Sequence, residues 1–186
     1  MSHHHSHRHS SAALKGADTD FDLIIVGGGL TGSALAVALA DTSLRIALVD
    51  ARSPSRPQGW PARWDSRVYA ISPGSADFLA QIGCWGHLPA ARLQRVARMA
   101  VVGDAGGKID FSAYDIGVEE LAWIVESAEM ACELWTTVSR QRNVTCFCPA
   151  EPLALQVADD AATLTLVSGQ TLRAQLVVGA DGRESW

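Results

Sequence analysis

The sequence predicts an α/β fold that opens on a strand, a glycine turn and a helix, and three observations predict it. An apolar run, Leu23 to Val26, leads into Gly27-Gly28-Gly29-Leu30-Thr31-Gly32 and then into an Ala/Leu-rich stretch. A second apolar run, Arg45 to Val49, ends on Asp50. Beyond residue 94 the pattern turns mainly to short strands separated by Gly-containing turns. Strand, turn, helix and acid-tipped strand make a Rossmann-like βαβ unit. The later strands add a β-meander to it.

The chain's bulk properties agree with one domain core. It has 186 residues, 48% hydrophobic and 19% charged, which is ordinary globular composition. Its formal charge of −5 offers no positive field for a phosphate backbone, so nucleic acid is not expected as a partner. Cys84, Cys132, Cys146 and Cys148 show neither a CxxC spacing nor a downstream His pair, so no structural metal is expected. They read as reduced thiols, which points to a cytoplasmic protein. Cys146 and Cys148 fall in one apparent strand, at the far edge of disulfide reach.

The first 20 residues carry five of the six histidines among serines and lack apolar periodicity. They predict a disordered His-rich leader or tag, with the folded domain over 21–186. His87 is the only histidine outside that segment, so a Ser-His-Asp hydrolase is not expected and no catalytic side chain is assigned.

Residues 23–40 carry no charge and resemble a membrane span by hydropathy alone. Their internal order argues otherwise, because three glycines split the run into a four-residue strand and a helix. No transmembrane segment or signal peptide is expected. A helix follows from about Pro73 to Ile82, with Ser72 as N-cap and Pro73 at its first position. A second runs from about Ser127 to Arg140. Strands are expected at Val96 to Val102, Ile109 to Phe111, Val144 to Cys148, Leu153 to Val157 and Thr163 to Val167. After the turn Ser168-Gly169-Gln170, Leu176 to Val178 returns as a short strand into Gly179-Ala180-Asp181-Gly182.

Each glycine of the turn has a physical role in a G-x-G-x-x-G pattern. Gly27 permits the tight turn, Gly29 lets a pyrophosphate approach the backbone, and Gly32 lets the helix pack on the strand. The Leu30 and Thr31 amides lie at the helix N-terminus, where anions are favoured. Asp50 lies where a carboxylate accepts ribose hydroxyls. This unit alone does not separate NAD from FAD. An NAD-dependent dehydrogenase-type domain and a non-catalytic nucleotide-binding module therefore stay open, although the strand-rich middle argues against the dehydrogenase.

Four strings occur in a recognisable order: the glycine turn, Asp65-Ser66-Arg67-Val68-Tyr69-Ala70-Ile71-Ser72, Ile124-Val125-Glu126-Ser127, and Val178-Gly179-Ala180-Asp181-Gly182. Together they resemble the ubiquinone-biosynthesis hydroxylases, FAD-dependent monooxygenases with the para-hydroxybenzoate hydroxylase fold. The likeness runs over 21–186. It implies a Rossmann-like FAD-binding fold with a β-meander and part of a substrate-domain sheet. It implies FAD as cofactor, NADPH or NADH as co-substrate, and hydroxylation of an aromatic ring with oxygen. A polyprenylated phenol is the implied substrate, with peripheral membrane or biosynthetic-complex association.

By the same resemblance Arg67 stands near the FAD phosphates, a task suited to a guanidinium; its alternative is a solvated loop arginine. Ser127 occupies a position that usually carries Asn, and either contacts the cofactor or caps its helix. Asp181 and Gly182 match an Asp-Gly pair lying by the cofactor, although a bare Asp-Gly is more often a turn. Asp50 replaces the more common glutamate. The six tryptophans do not suggest a stacking platform: Trp85 and Trp135 follow helical patterns and read as packing residues, while Trp60 and Trp64 lie in a Pro/Arg-rich loop. The resemblance also implies that the chain is the N-terminal part of a longer hydroxylase, with apolar faces left exposed and no hydroxylation by itself.

Overall fold

The computed structural model describes residues 19–185. The histidines of the predicted leader lie outside the described residues. Thr19 is buried, and the Asp20 carboxylate lies 3.4 Å from the Arg173 amide, so packing begins two residues before the expected boundary at 21.

The chain opens with β1 (Phe21–Val26), α1 (Leu30–Ala38) and β2 (Ile46–Val49). There follow β3 (Val68–Ile71), α2 (Pro73–Gln81), β4 (Gln94–Val96), β5 (Arg98–Val102), β6 (Lys108–Ser112), β7 (Ala122–Glu126) and α3 (Ser127–Val138). It closes with β8 (Val144–Phe147), β9 (Pro152–Val157), β10 (Ala162–Leu166) and β11 (Thr171–Gly179). The main sheet has six strands in the order β8-β2-β1-β11-β10-β9. Its β8, β2, β1 and β11 are parallel, whereas β11, β10 and β9 form an antiparallel meander.

Strand β11 joins the two halves. Its Thr171 to Ala174 segment pairs with β10, and its Ala174 to Gly179 segment pairs with β1. The sequence expectation, Leu176 to Val178, captured only the apolar end of this nine-residue strand. Arg173 and Gln175 obscured the rest, because one face of the strand is solvated.

Both faces of β1 and β2 are covered, which is why they read as unbroken apolar runs. Leu23, Ile25, Ile46 and Leu48 pack against helix residues including Val37, Leu79, Met130, Leu134 and Val138. Ile24, Val26, Ala47 and Val49 pack instead against Leu164, Leu166, Leu172 and Ala174 of the meander. Helix α1 lies against α3. Helix α2 starts as its sequence predicts, with Pro73 in its first turn and the Ser72 hydroxyl accepting from the Ser75 amide at 3.2 Å.

Between β2 and β8 the chain inserts a three-stranded sheet, β3-β7-β4, and a hairpin, β5-β6. The expected single strand from Val96 to Val102 is two strands in two different sheets. Ala97 is the break, its carbonyl accepting from Ala113 while the Val96 carbonyl accepts from Leu121. Strand β3 lies within the Asp65 to Ser72 string and β7 overlaps the Ile124 to Ser127 string, where no strand is expected from the sequence. Cys148 also falls beyond β8 rather than within it. All four cysteines are free, and burial pushes their thiols up.

Candidate functional site

The carboxyl ends of β1, β2 and β11 meet at the glycine turn, the place where open α/β sheets bind ligands. Val26, Gly27, Val49, Asp50, Arg52, Glu151 and Asp181 line a cleft of about 360 Å³ there. Three backbone bonds draw the strand ends together: the Gly27 amide to Val49, the Ala180 amide to Val26, and the Asp50 amide to Phe147.

The turn has almost no room for side chains. Gly27 has φ +106°, and a Cβ there would overlap the Ala180 carbonyl. A Cβ on Gly32 would overlap the Gly27 carbonyl oxygen, so α1 sits directly on the turn. Gly28 is confined by Trp135 of α3, whose ring would lie 2.5 Å from an added Cβ. Gly29 is the exception, because a Cβ there meets nothing within 4 Å. It faces open space at the N-terminus of α1.

That terminus has no side-chain cap and no acidic residue in its first turn. The amides of Leu30, Thr31 and Gly32 belong to the unsatisfied first turn of a helix, with its partial positive charge. Gly29 exposes them instead of shielding them. An anionic pyrophosphate fits this cradle both sterically and electrically.

Asp50 does two things at once. Its Oδ2 accepts from the Gly28 amide at 2.6 Å and its Oδ1 from the Arg52 amide at 2.8 Å. The carboxylate thus fixes the turn, and each oxygen keeps a lone pair for a further donor such as a ribose hydroxyl. Asp181 lies across the same cleft, and Gly182 beside it has φ +77°.

Arg67 and Ser127 sit together at the other end of α3. The Ser127 amide donates to the Arg67 carbonyl at 2.9 Å, and the Arg67 amide donates to Asp65 Oδ1 at 3.0 Å. Asp65 Oδ2 also accepts from the Ala128 amide at 3.0 Å, which makes Asp65 rather than Ser127 the capping side chain of α3. The Arg67 guanidinium is exposed. Because Trp135 abuts Gly28, about 12 Å of α3 separates the two groups along the helix axis.

The loop leading to Arg67 is held by charges that sequence reasoning did not single out. Buried Glu126 accepts from the Asp65 amide through Oε1 and from Arg92 through Oε2, both at 2.5 Å. Arg92 donates also to the carbonyls of Pro61 and Arg63. Buried Glu129 takes Arg56 at 2.8 Å, which raises the guanidinium's affinity for its proton. Trp60 stacks under Arg56 at 4.6 Å and Trp64 under Arg92 at 4.4 Å. Paired residues 34 and 73 positions apart carry no local signal.

Among the described residues no group of His, Cys, Asp and Glu is arranged to hold a metal ion, and no helix is long and apolar enough to cross a membrane.

Comparison with known proteins adds the family. A family model described as FAD binding domain matches residues 20–186. The chain is 31% identical over 164 residues to the 3-demethoxyubiquinol 3-hydroxylase of Escherichia coli, covering 88% of this chain and 42% of that one. It is 35% identical to ubiquinone hydroxylase UbiL of Rhodospirillum rubrum, covering 91% of this chain and 39% of that one. It therefore spans about two fifths of the curated relatives it matches. Among solved structures, a mutant of P. aeruginosa PqsL superposes with TM-score 0.72 at 20% identity, covering 89% of this chain and 44% of that one. The p-nitrophenol 4-monooxygenase PnpA of Pseudomonas putida superposes with TM-score 0.67 at 17% identity, covering 88% and 41%. These two likenesses concern the fold. With a family match over residues 20–186, on a Rossmann-like sheet whose glycine cradle fits a dinucleotide pyrophosphate, the chain belongs to the FAD-binding domain family.

Proposed function

We propose that this chain is the cofactor-holding part of an FAD-dependent monooxygenase that hydroxylates the aromatic ring of a polyprenylated ubiquinone precursor, using NADPH or NADH and oxygen. The observation that carries the reading is the uncapped N-terminus of α1, opened by Gly29 and flanked by Asp50. The names of the curated relatives support the substrate class. The same reading places the protein in the cytoplasm, at a membrane surface or in a biosynthetic complex when it meets its lipid-tailed substrate.

In this reading FAD, when bound, supplies the redox chemistry. The chain's own residues bind and orient it. Gly27 and Gly32 keep turn and helix in contact, and the amides at Gly29, Leu30, Thr31 and Gly32 meet the pyrophosphate. Asp50 accepts the ribose hydroxyls. Arg67 adds a charge-assisted contact to the phosphates, while Ser127, Asp181 and Gly182 line the cofactor's further course. The reading requires no side chain of this chain to act as an acid or base.

Two substitutions test the reading. Gly29→Val fills open space, so it leaves the far-ultraviolet circular dichroism spectrum unchanged while abolishing FAD retention. Undiminished affinity in a flavin-fluorescence titration would place the phosphate site elsewhere. Arg67→Ala weakens FAD by about 1.5 to 3 kcal/mol, the range for a charge-assisted bond. Arg56→Ala does much less, because its guanidinium is engaged by Glu129 and Trp60. Equal losses from both would indicate a diffuse basic loop.

A further inference from the structure

We propose that Glu126 is a positioning residue for Arg67, acting on the cofactor site through the loop it clamps. The inference rests on the reading above that Arg67 meets the cofactor phosphates. Three hydrogen bonds fasten the segment 65–67 to the junction of β7 and α3, and a fourth braces the segment internally. The Asp65 amide donates to Glu126 Oε1, and the Ala128 amide donates to Asp65 Oδ2. The Arg67 amide donates to Asp65 Oδ1, and the Ser127 amide donates to the Arg67 carbonyl. Both backbone polar groups of Arg67 are therefore fixed while its guanidinium stays exposed. A flexible arginine gains affinity from such a pre-set backbone, because less of its freedom is lost on binding.

Glu126 is the buried member of this clamp, 3% exposed. A buried carboxylate needs a compensating charge and filled hydrogen bonds. Arg92 supplies the charge, and the Asp65 amide fills the other oxygen. Arg92 in turn holds the carbonyls of Pro61 and Arg63, so one ion pair fixes the approach to Arg67 as well as the residue next but one to it. Neither Glu126 nor Arg92 needs to touch the cofactor for this to work.

A double-mutant cycle on the full 186-residue chain separates positioning from mere stability. The readouts are FAD affinity by flavin fluorescence and the thermal midpoint of the same samples. Glu126→Gln keeps an oxygen for the Asp65 amide but loses the charge that holds Arg92. It raises the FAD dissociation constant roughly tenfold in the parent chain, within the range of such couplings. In the Arg67→Ala background it changes that constant less than about twofold, while the thermal midpoint falls equally in both backgrounds. Asp65→Asn is the milder second variant, since its side chain offers one acceptor oxygen to two amides; the same pattern is expected at smaller size. An equal loss of affinity in both backgrounds, from whichever variant folds, overturns the positioning role and leaves the Arg67 reading intact. Unchanged affinity in Arg67→Ala alone overturns that reading, and this inference with it.

Discussion

The two ends of the candidate site are held by opposite means. At the glycine turn, backbone lies on backbone so closely that Gly27 and Gly32 have no space for a Cβ, and the Trp135 ring closes off Gly28. At the 56–67 loop, the backbone is irregular and is held by side chains: two ion pairs with buried glutamates and two tryptophan rings stacked on the arginines. The first device is mainly steric, with a single carboxylate, Asp50, on the Gly28 amide. The second is electrostatic and assembled from distant residues. Helix α3 links them, with Trp135 against Gly28 and its first amides on Asp65 and Arg67.

Removing the charge that neutralises Glu126 breaks the second device most severely. Arg92→Ala leaves a buried carboxylate without its partner and three oxygens without their donor. A loss of about 3 to 5 kcal/mol is expected, read from urea unfolding. A loss under 1 kcal/mol would mean that the loop is held by something else. Steric failure at the turn comes next. Gly32→Ala forces a methyl group into the Gly27 carbonyl and is expected to cost about 3 kcal/mol, at the upper end for overpacking. Gly29→Ala serves as its control, since its methyl meets open space and its φ of −69° suits any residue. Its effect stays within about 0.5 kcal/mol. Equal losses at Gly29 and Gly32 would refute the assignment of turn and helix contacts.

This contrast also explains what the sequence could reveal. The turn was readable because the glycines it requires stand a few positions apart, although Ala180 and Trp135, which close it, are remote in sequence. Asp50 was readable because a short βαβ unit fixes the interval to the next strand end. Ser72 announced α2 for the same reason, a cap lying beside its own helix. The 56–67 loop offered only a cluster of arginines and prolines. Nothing in its letters shows that Arg56 and Arg92 are committed to Glu129 and Glu126 while Arg67 is left exposed. Asp65 stood in a quoted string without a role, since its partner amide at Ala128 is 63 residues away. Strands β3 and β7 carry apolar runs as long as that of β2, but they pair with each other across more than fifty residues and so show no local signal of a sheet.

Asp22 and Arg45 sharpen the comparison by repeating the chemistry of the loop without its burial. The guanidinium Nη2 lies 3.2 Å from Asp22 Oδ1, with the arginine side chain 56% exposed and the aspartate 23%. Hydrogen bonds from Arg45, first its side chain and then its amide, hold the Asp22 carboxyl below its usual value against a small desolvation penalty. A carboxyl lowered in the folded state binds fewer protons there than in the unfolded chain. Its contribution is therefore complete above the unfolded value, near pH 4, and is lost as pH falls through the lower folded value. Solvent and salt screen an exposed pair, so Asp22→Asn is expected to cost only about 0.5 kcal/mol at pH 7. Thermal midpoints of parent and variant should converge as the pH drops below about 4. Divergence in acid would show that Asp22 is not stabilised as an anion. A loss at pH 7 as large as that of Arg92→Ala would show that burial does not separate the two ion pairs.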